Sequence, residues 1–188
     1  KLADGKFRFL VKGGLPRTMG SDFAGEIAAV GAGVEGWAQG EPVMGFIDPF
    51  ARAPGTFAEF VPVPVEFVFR RPEALDAVFG AALPCVGVTA VALCDHGQVG
   101  RGSRVLVNGA AGGVGHMAVQ VAKARGAHVT AVASAGRRHF VTVLGADAFI
   151  DYRAEPVERW PARFDAVLDC VPNLPRNCHG RLLKHGGH

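Results

Sequence analysis

The chain has 188 residues, 49% of them hydrophobic and 20% charged, with a formal net charge of +3. That is enough apolar material for one large domain or two small ones with a true core, and it excludes a disordered or low-complexity chain. The charge is mild and holds no basic run of five or six residues, which argues against nucleic acid as a partner, and no apolar run reaches the ~18 residues of a membrane-spanning helix.

In chain order, residues 1–19 carry little pattern. Phe7, Phe9, Leu10 and Val11 make a short apolar segment that Gly13-Gly14 and Pro16 break. Phe23 to Val30 and Pro42 to Phe46 read as short strands around a turn-rich stretch, Gly31 to Gly40. Phe57 to Val63 alternates apolar and polar residues with prolines at its end, and reads as a strand near a sheet edge. Residues 20–70 thus predict a small all-β domain. Pro72-Glu73 suits the first turn of a helix, which is expected to run from Glu73 into the nineties with a kink or split at Pro84.

The next stretch dominates the chain. Arg104-Val-Leu-Val-Asn-Gly-Ala-Ala-Gly-Gly-Val-Gly115 takes an apolar strand into a turn of small residues, and helix-period positions Val114, Met117, Ala118, Val121 and Ala122 follow. Ala110, Gly112 and Gly115 occupy the three glycine positions of G-x-G-x-x-G, with Ala in the first. Alone the motif is weak. Here it follows a strand, opens a helix and leads to a second apolar strand, which is the context of a dinucleotide site with an anion at the helix N-terminus. The predicted elements then alternate: strand 104–107, helix 114–125, strand 128–133, helix 137–144, strand 148–151, strand 164–169. This rhythm predicts an α/β fold with a parallel, doubly wound sheet. A complete dinucleotide fold has six strands. Four are present, so the nicotinamide half is expected to be partial, the last strand to present an open edge, and the chain to be cut at both ends. Its first residue is Lys, and no signal peptide is visible.

The end of the second parallel strand separates NAD from NADP, because an acidic residue there binds the ribose 2′-OH and repels a 2′-phosphate. Here the strand ends Ala131-Val-Ala-Ser134 and continues Ala135-Gly-Arg-Arg138. Ser134 stands where an NAD enzyme has Asp, and its hydroxyl can donate to phosphate. Arg137 offers a planar, permanently charged fork for the same phosphate. Arg137 and Arg138 also fit a solvated helix start. NADPH is the expected cofactor. Cys85, Cys94, Cys170 and Cys178 form no C-x-x-C pair and read as reduced thiols of a cytoplasmic protein.

These residues resemble the medium-chain dehydrogenase/reductase superfamily, in its zinc-independent quinone oxidoreductase (zeta-crystallin-like) branch. The matching stretches are Met19-Gly-Ser-Asp-Phe-Ala-Gly-Glu26, Gly40-Glu-Pro-Val-Met-Gly45, Gly55-Thr-Phe-Ala-Glu59, Ala81-Ala-Leu-Pro84 with Thr89-Ala90, Asn108 to Gly115, Gln120-Val-Ala-Lys123, Leu144-Gly-Ala-Asp147, Asp151-Tyr152 and Phe164-Asp-Ala-Val-Leu-Asp169. The resemblance implies a GroES-like β-barrel catalytic domain over residues 1–85, lacking N-terminal strands, and a truncated Rossmann NADP-binding domain over residues 86–188. It implies a cofactor site drawing on Thr89, Ala111, Gly112, Gly113, Val114, Ser134, Arg137 and Tyr152, with Thr89 orienting the nicotinamide and Tyr152 contacting phosphate. It also implies a homodimer for the full-length form.

Zinc-dependent relatives carry a histidine ligand in a Gly-His-Glu segment, and this chain has Gly20-Ser21-Asp22 there. Cys85 stands where those relatives place a cysteine ligand, but a lone Cys without the His cannot make a three-ligand protein site, and it reads as a small buried thiol. Without a metal, alcohol oxidation lacks its Lewis acid. A quinone or an α,β-unsaturated carbonyl is already electrophilic and accepts hydride directly, with positioning as the protein's main task. The expected activity is therefore NADPH-dependent reduction of a small-molecule quinone or enone. The alternatives are a zinc-dependent alcohol dehydrogenase relative and a non-catalytic NADPH-binding protein. No catalytic residue is assigned. Phe7 appears where some relatives have a pocket tyrosine, Asp22 fits either a cleft or a strand end, and His116, Trp37 and Phe46 read as packing residues.

Overall fold

The computed structural model describes residues 18–47, 55–161 and 163–188. The chain divides into two compact units between Cys85 and Val86. The apolar segment at Phe7–Val11, including Phe7 itself, lies outside the described residues.

In the first unit, β1 (Asp22–Glu26), β2 (Pro42–Phe46) and β3 (Val68–Arg70) form an antiparallel sheet in that order. Asp22 pairs with Phe46 and Glu26 with Pro42, and two further hydrogen bonds, Ile27 N–H to Glu41 and Gly40 N–H to Ile27, close the turn-rich stretch. Trp37 lies beneath Arg70, whose guanidinium sits 4.4 Å from the ring centroid, and Phe46 meets Phe67 edge-on at 5.9 Å. Both aromatics are therefore packing residues. Two expectations need correction. Residues 57–63 are not a strand: the third strand is Val68–Arg70. Pro62 and Pro64 have no N–H to offer a ladder, and Phe57 and Phe60 are exposed, so the apolar alternation there marks no buried face. Nor does a helix begin at Pro72. Residues 72–75 form a turn closed by Leu75 N–H to Pro72, and α1 (Ala77–Gly80) starts only after Asp76, whose carboxylate accepts from Phe79 N–H at 2.9 Å. An N-cap carboxylate outcompeted the proline as the start signal. The second helix, α2 (Pro84–His96), begins at Pro84, where the missing N–H costs nothing.

The second unit is a parallel sheet of β4 (Arg104–Asn108), β5 (His128–Ala133), β6 (Ala148–Asp151) and β7 (Ala166–Asp169), in the spatial order β6-β5-β4-β7. The helices α3 (Gly113–Ala124), α4 (Arg138–Val143) and α5 (His179–Leu182) connect or follow the strands. β4 and β5 bury both faces, as a doubly wound sheet requires, while β6 and β7 bury one face and half-bury the other. Val105, Val107, Val129 and Ala131 join Ala90, Cys94, Ala118, Val119, Ala122 and Val141 in one core. Leu106, Val132 and Ile150 face the other way, onto Trp160, Phe164, Cys178 and Leu182. Each fully buried Val or Leu contributes about 1.5–3 kcal/mol. On α3 the buried positions are Gly115, Ala118, Val119 and Ala122, a helix-period stripe of small residues that lets the helix lie close on the sheet.

The outer edge of β7 is not bare, contrary to the expectation. Phe164 bridges Leu183 in parallel, Val167 N–H donates to the His188 carbonyl at 2.9 Å, and His188 N–H donates to Asp165 at 3.0 Å. Residues 182–188 thus satisfy part of the edge that four strands alone would leave open. None of the four cysteines is in a disulfide bond. Burial, then the neighbouring Asp169, pushes the Cys170 thiol up to about 11, and burial also raises Cys94, so neither is a thiolate nucleophile at neutral pH.

Lys123 on α3 clasps Asp147 at 2.8 Å, and Asp147 also accepts from Val129 N–H at 2.7 Å, pinning the start of β6 to β5. Burial alone would raise the Asp147 carboxyl; the Lys123 and Val129 hydrogen bonds outweigh it and hold it below 3.8. A depressed folded-state value means stability that is present above 3.8 and lost as pH falls through the folded value. Asp147→Asn should cost about 1 kcal/mol at neutral pH after screening, and should flatten the acid limb of stability, measured by urea denaturation between neutral pH and pH ~3. An unchanged acid limb would remove the clasp from the account.

Candidate functional site

The glycine turn lies at the carboxyl end of the central strand β4. Gly109 takes φ +72, a left-handed value that favours glycine, and a methyl placed there would lie 2.2 Å from Val171 Cγ2. Ala110 N–H donates to Val132 at 3.0 Å and Gly112 N–H to Gly109 at 2.9 Å, so the turn is tied to β5 and closed on itself. Gly112 is the N-cap of α3 and supplies no side-chain cap. The first α-helical bond of α3 runs from His116 N–H to the Gly112 carbonyl, at 3.0 Å. The amides of Gly113, Val114 and Gly115 in the first turn therefore have no intrahelical acceptor. Gly115 approaches the turn so closely that a Cβ would fall 2.1 Å from the Gly109 carbonyl oxygen. A Cβ-free cradle with uncapped helix amides fits a dinucleotide pyrophosphate.

Around this turn the expected residues fall into three places. Ala111, Gly112, Gly113 and Val114 form the turn and the helix start; Ala111 and Val114 are half-buried, and Gly112 and Gly113 are exposed. Thr89, half-buried on α2, lies one turn after Val86, and Val86 Cγ1 would be 3.3 Å from a Cβ on Gly113, so this face of α2 packs beside the cradle. Ser134, Arg137 and Tyr152 gather at the carboxyl ends of β5 and β6. Ser134 caps a short 3₁₀ turn, Ala135–Arg137, without spending its hydroxyl on it. The Ala133–Asp151 pair sets Tyr152 beside the end of β5, with Tyr152 N–H donating to Ala133 at 3.4 Å.

The structure places the two adjacent arginines differently. The Arg138 guanidinium sits 4.9 Å from the Phe149 ring centroid and packs on the sheet edge. Arg137 is exposed at the end of the turn beside Ser134. Two contributors were not anticipated. Arg153 places its guanidinium 5.6 Å from the Tyr152 ring centroid, while its N–H takes up Asp151 Oδ1 at 3.0 Å. Asn108, at the end of β4, donates from Nδ2 to Asp169 Oδ1 at 2.7 Å and to Asn173 Oδ1 at 2.8 Å. A polar residue closing an apolar strand was the available signal for Asn108; nothing local distinguishes Arg153.

In the first unit, Ser21 donates its hydroxyl to the Ile47 carbonyl at 3.0 Å. Asp22 accepts from Cys85 N–H at 2.7 Å and so serves a strand end and the start of α2; burial raises its carboxyl, and that hydrogen bond only partly offsets the rise. His116 turns Nδ1 to the Gly112 carbonyl at 2.9 Å and its ring toward Phe140, a packing role. Among the described residues, no group of three or more His, Cys, Asp or Glu is placed to hold a metal ion.

Two family models match: the alcohol dehydrogenase GroES-like domain over residues 2–73 and the zinc-binding dehydrogenase over residues 113–188. The chain is 35% identical to a chloroplast envelope quinone oxidoreductase homolog of Arabidopsis thaliana, over 100% of this chain and 59% of that protein. It is 36% identical to a 2-methylene-furan-3-one reductase of Solanum lycopersicum, over 92% of this chain and 46% of that one. The solved quinone oxidoreductase of Coxiella burnetii superposes with a TM-score of 0.86 at 33% identity, covering 95% of this chain and 56% of that structure. The chain belongs to the medium-chain dehydrogenase/reductase superfamily, in its quinone oxidoreductase branch. Its fold is accordingly a GroES-like domain followed by a Rossmann-like parallel sheet. It spans about half the length of the relatives it matches, 59% of the Arabidopsis protein and 46% of the Solanum one.

The cradle makes a direct prediction. Gly115→Ala forces a Cβ against backbone and should cost about 2–4 kcal/mol. Gly136→Ala, where nothing lies within 4 Å of the new methyl, should fall within about 0.5 kcal/mol of wild type. Thermal and urea denaturation of the two variants compare these directly, and equal stabilities would refute the close approach.

Proposed function

We propose that the chain is the core of a zinc-independent oxidoreductase that reduces a small-molecule quinone or α,β-unsaturated carbonyl with NADPH. The observation that carries this reading is the gathering of Ser134, Arg137 and Tyr152 one strand away from the glycine cradle, with a hydroxyl in place of an acid at position 134. NADPH supplies the hydride. The chain's part is to bind and orient it. The first-turn amides of α3 hold the pyrophosphate, and the helix dipole favours that charge. Ser134 donates to the 2′-phosphate, Arg137 pairs with it through charge-assisted hydrogen bonds, and Tyr152 closes the same pocket. Thr89, on the helix face beside the cradle, orients the nicotinamide end.

Two features support the acceptor class. Relatives bear the names quinone oxidoreductase and 2-methylene-furan-3-one reductase, a quinone and an enone in turn. Ser21, at the position of the zinc-dependent relatives' histidine ligand, is a poor metal donor, and its hydroxyl is already committed to Ile47. The acceptor must then be electrophilic without Lewis-acid help. Metal analysis of the purified protein is expected to find no stoichiometric zinc.

A fluorescence titration tests the cofactor reading. Wild type should bind NADPH more tightly than NADH. Arg137→Ala should weaken NADPH by about ten- to a hundredfold, the loss of one charge-assisted contact, while NADH changes by less than about threefold. Arg138→Ala should leave the NADPH preference in place. Equal affinities for the two cofactors in the wild type would sink the assignment.

A further inference from the structure

Asn108 is the one buried polar side chain of β4, 5% exposed at the end of an apolar strand. A leucine would fill such a place more cheaply unless the amide is used. Both Nδ2 hydrogens are taken, by Asp169 Oδ1 at 2.7 Å and by Asn173 Oδ1 at 2.8 Å. Asp169 as a carboxylate only accepts, which fixes the orientation of the Asn108 amide. Asn173 presents its oxygen inward in turn, so its own NH₂ is the end left to donate to a ligand. Asn173 is exposed.

The partners lie at the end of β7 and on the loop that follows it. That loop is held at two more points. Val171 N–H donates to Asp169 Oδ1 at 3.3 Å, and the Val171 side chain occupies the space that a Cβ on Gly109 would need. The segment after β7 is therefore fastened to the end of β4 and the glycine turn by the Asn108 side-chain amide, by Cys170 N–H donating to the Asn108 carbonyl at 3.1 Å, and by the Val171 side chain against Gly109. This is also where the strand order reverses: from β4 the chain builds outward through β5 and β6, then returns to place β7 on the other side of β4. In open α/β sheets the ligand crevice opens at the carboxyl ends of the strands at such a reversal.

We propose that Asn108 is a positioning residue that holds the loop of residues 170–174 as one wall of this crevice, set for the half of the dinucleotide beyond the pyrophosphate. The adenosine half is held elsewhere, by Ser134, Arg137 and Tyr152. The role toward the cofactor rests on the NADPH reading above; the brace itself does not.

The test has two arms, on Asn108→Leu, which keeps the buried volume, and on Asn173→Ala. In the ligand-free chain, backbone amide hydrogen exchange over residues 170–174 should speed up by about tenfold in both variants, while β4 and β5 keep wild-type protection. In titrations, NADPH should weaken by about tenfold, and adenosine 2′,5′-bisphosphate, which occupies only the adenosine half, should bind as it does to wild type. Unchanged exchange overturns the brace. An equal loss of both probes overturns the positioning role, because it reports a collapsed cradle. Faster exchange in a protein whose wild type binds neither probe overturns the cofactor reading and, with it, the role assigned to the loop.

Discussion

The contact between the Gly109 carbonyl and the bare Cα of Gly115 sets how near α3 comes to β4. A side chain on Gly115 would need space that lies 2.1 Å from that carbonyl oxygen, so the helix can begin only because none is there. From this closeness several things follow. The stripe Gly115, Ala118, Val119, Ala122 reaches the sheet and closes the core on that side. The first-turn amides of α3 stand at the end of the central strand rather than out in solvent. The turn itself is short enough for Val171 and Asn108 to bind the next strand's loop onto it. One missing methyl group thus links core packing, the phosphate cradle and the crevice wall.

The electrostatics of the proposed adenosine pocket depend on how the fold disposes of neighbouring charges. Three arginines, Arg137, Arg138 and Arg153, and the acid Asp151 lie close in sequence to Ser134 and Tyr152. Arg138 is drawn onto Phe149, and Asp151 turns one oxygen into the backbone of its own loop. Arg137 is left exposed beside an unspent serine hydroxyl, and Arg153 packs on the Tyr152 ring. The net effect is a local excess of positive charge at the carboxyl end of β5, where a phosphate finds donors and little repulsion.

Much of the second unit was legible because its signals are local and agree with one another. The apolar runs at 104–107 and 128–133, the small-residue turn between them and the helix-period stripe all specify the same β-α-β unit. The first unit was less legible. Alternation at 57–63 looked like a strand, but a strand exists only if a partner accepts its hydrogen bonds, and prolines there remove donors. The helix start moved from Pro72 to Asp76 because a cap is decided by which backbone amide its carboxylate meets. The edge of β7 read as open because pairing with residues 182–188 is a contact that no periodicity encodes.

By itself, the amino-acid order determined the parallel β-α-β core, the glycine turn as a dinucleotide cradle and the hydroxyl in place of an acid at position 134. These are statements about backbone freedom and side-chain chemistry at single positions, and they hold before anything folds against anything else. Only the tertiary structure decided that Arg138 packs on Phe149, that Tyr152 stands beside the end of β5, and that Asn108 braces a loop more than sixty residues away. Those outcomes depend on which strands become neighbours. In a parallel sheet every neighbour is reached through a crossover, so side chains that share a site are far apart in sequence and are brought together only by the closed core.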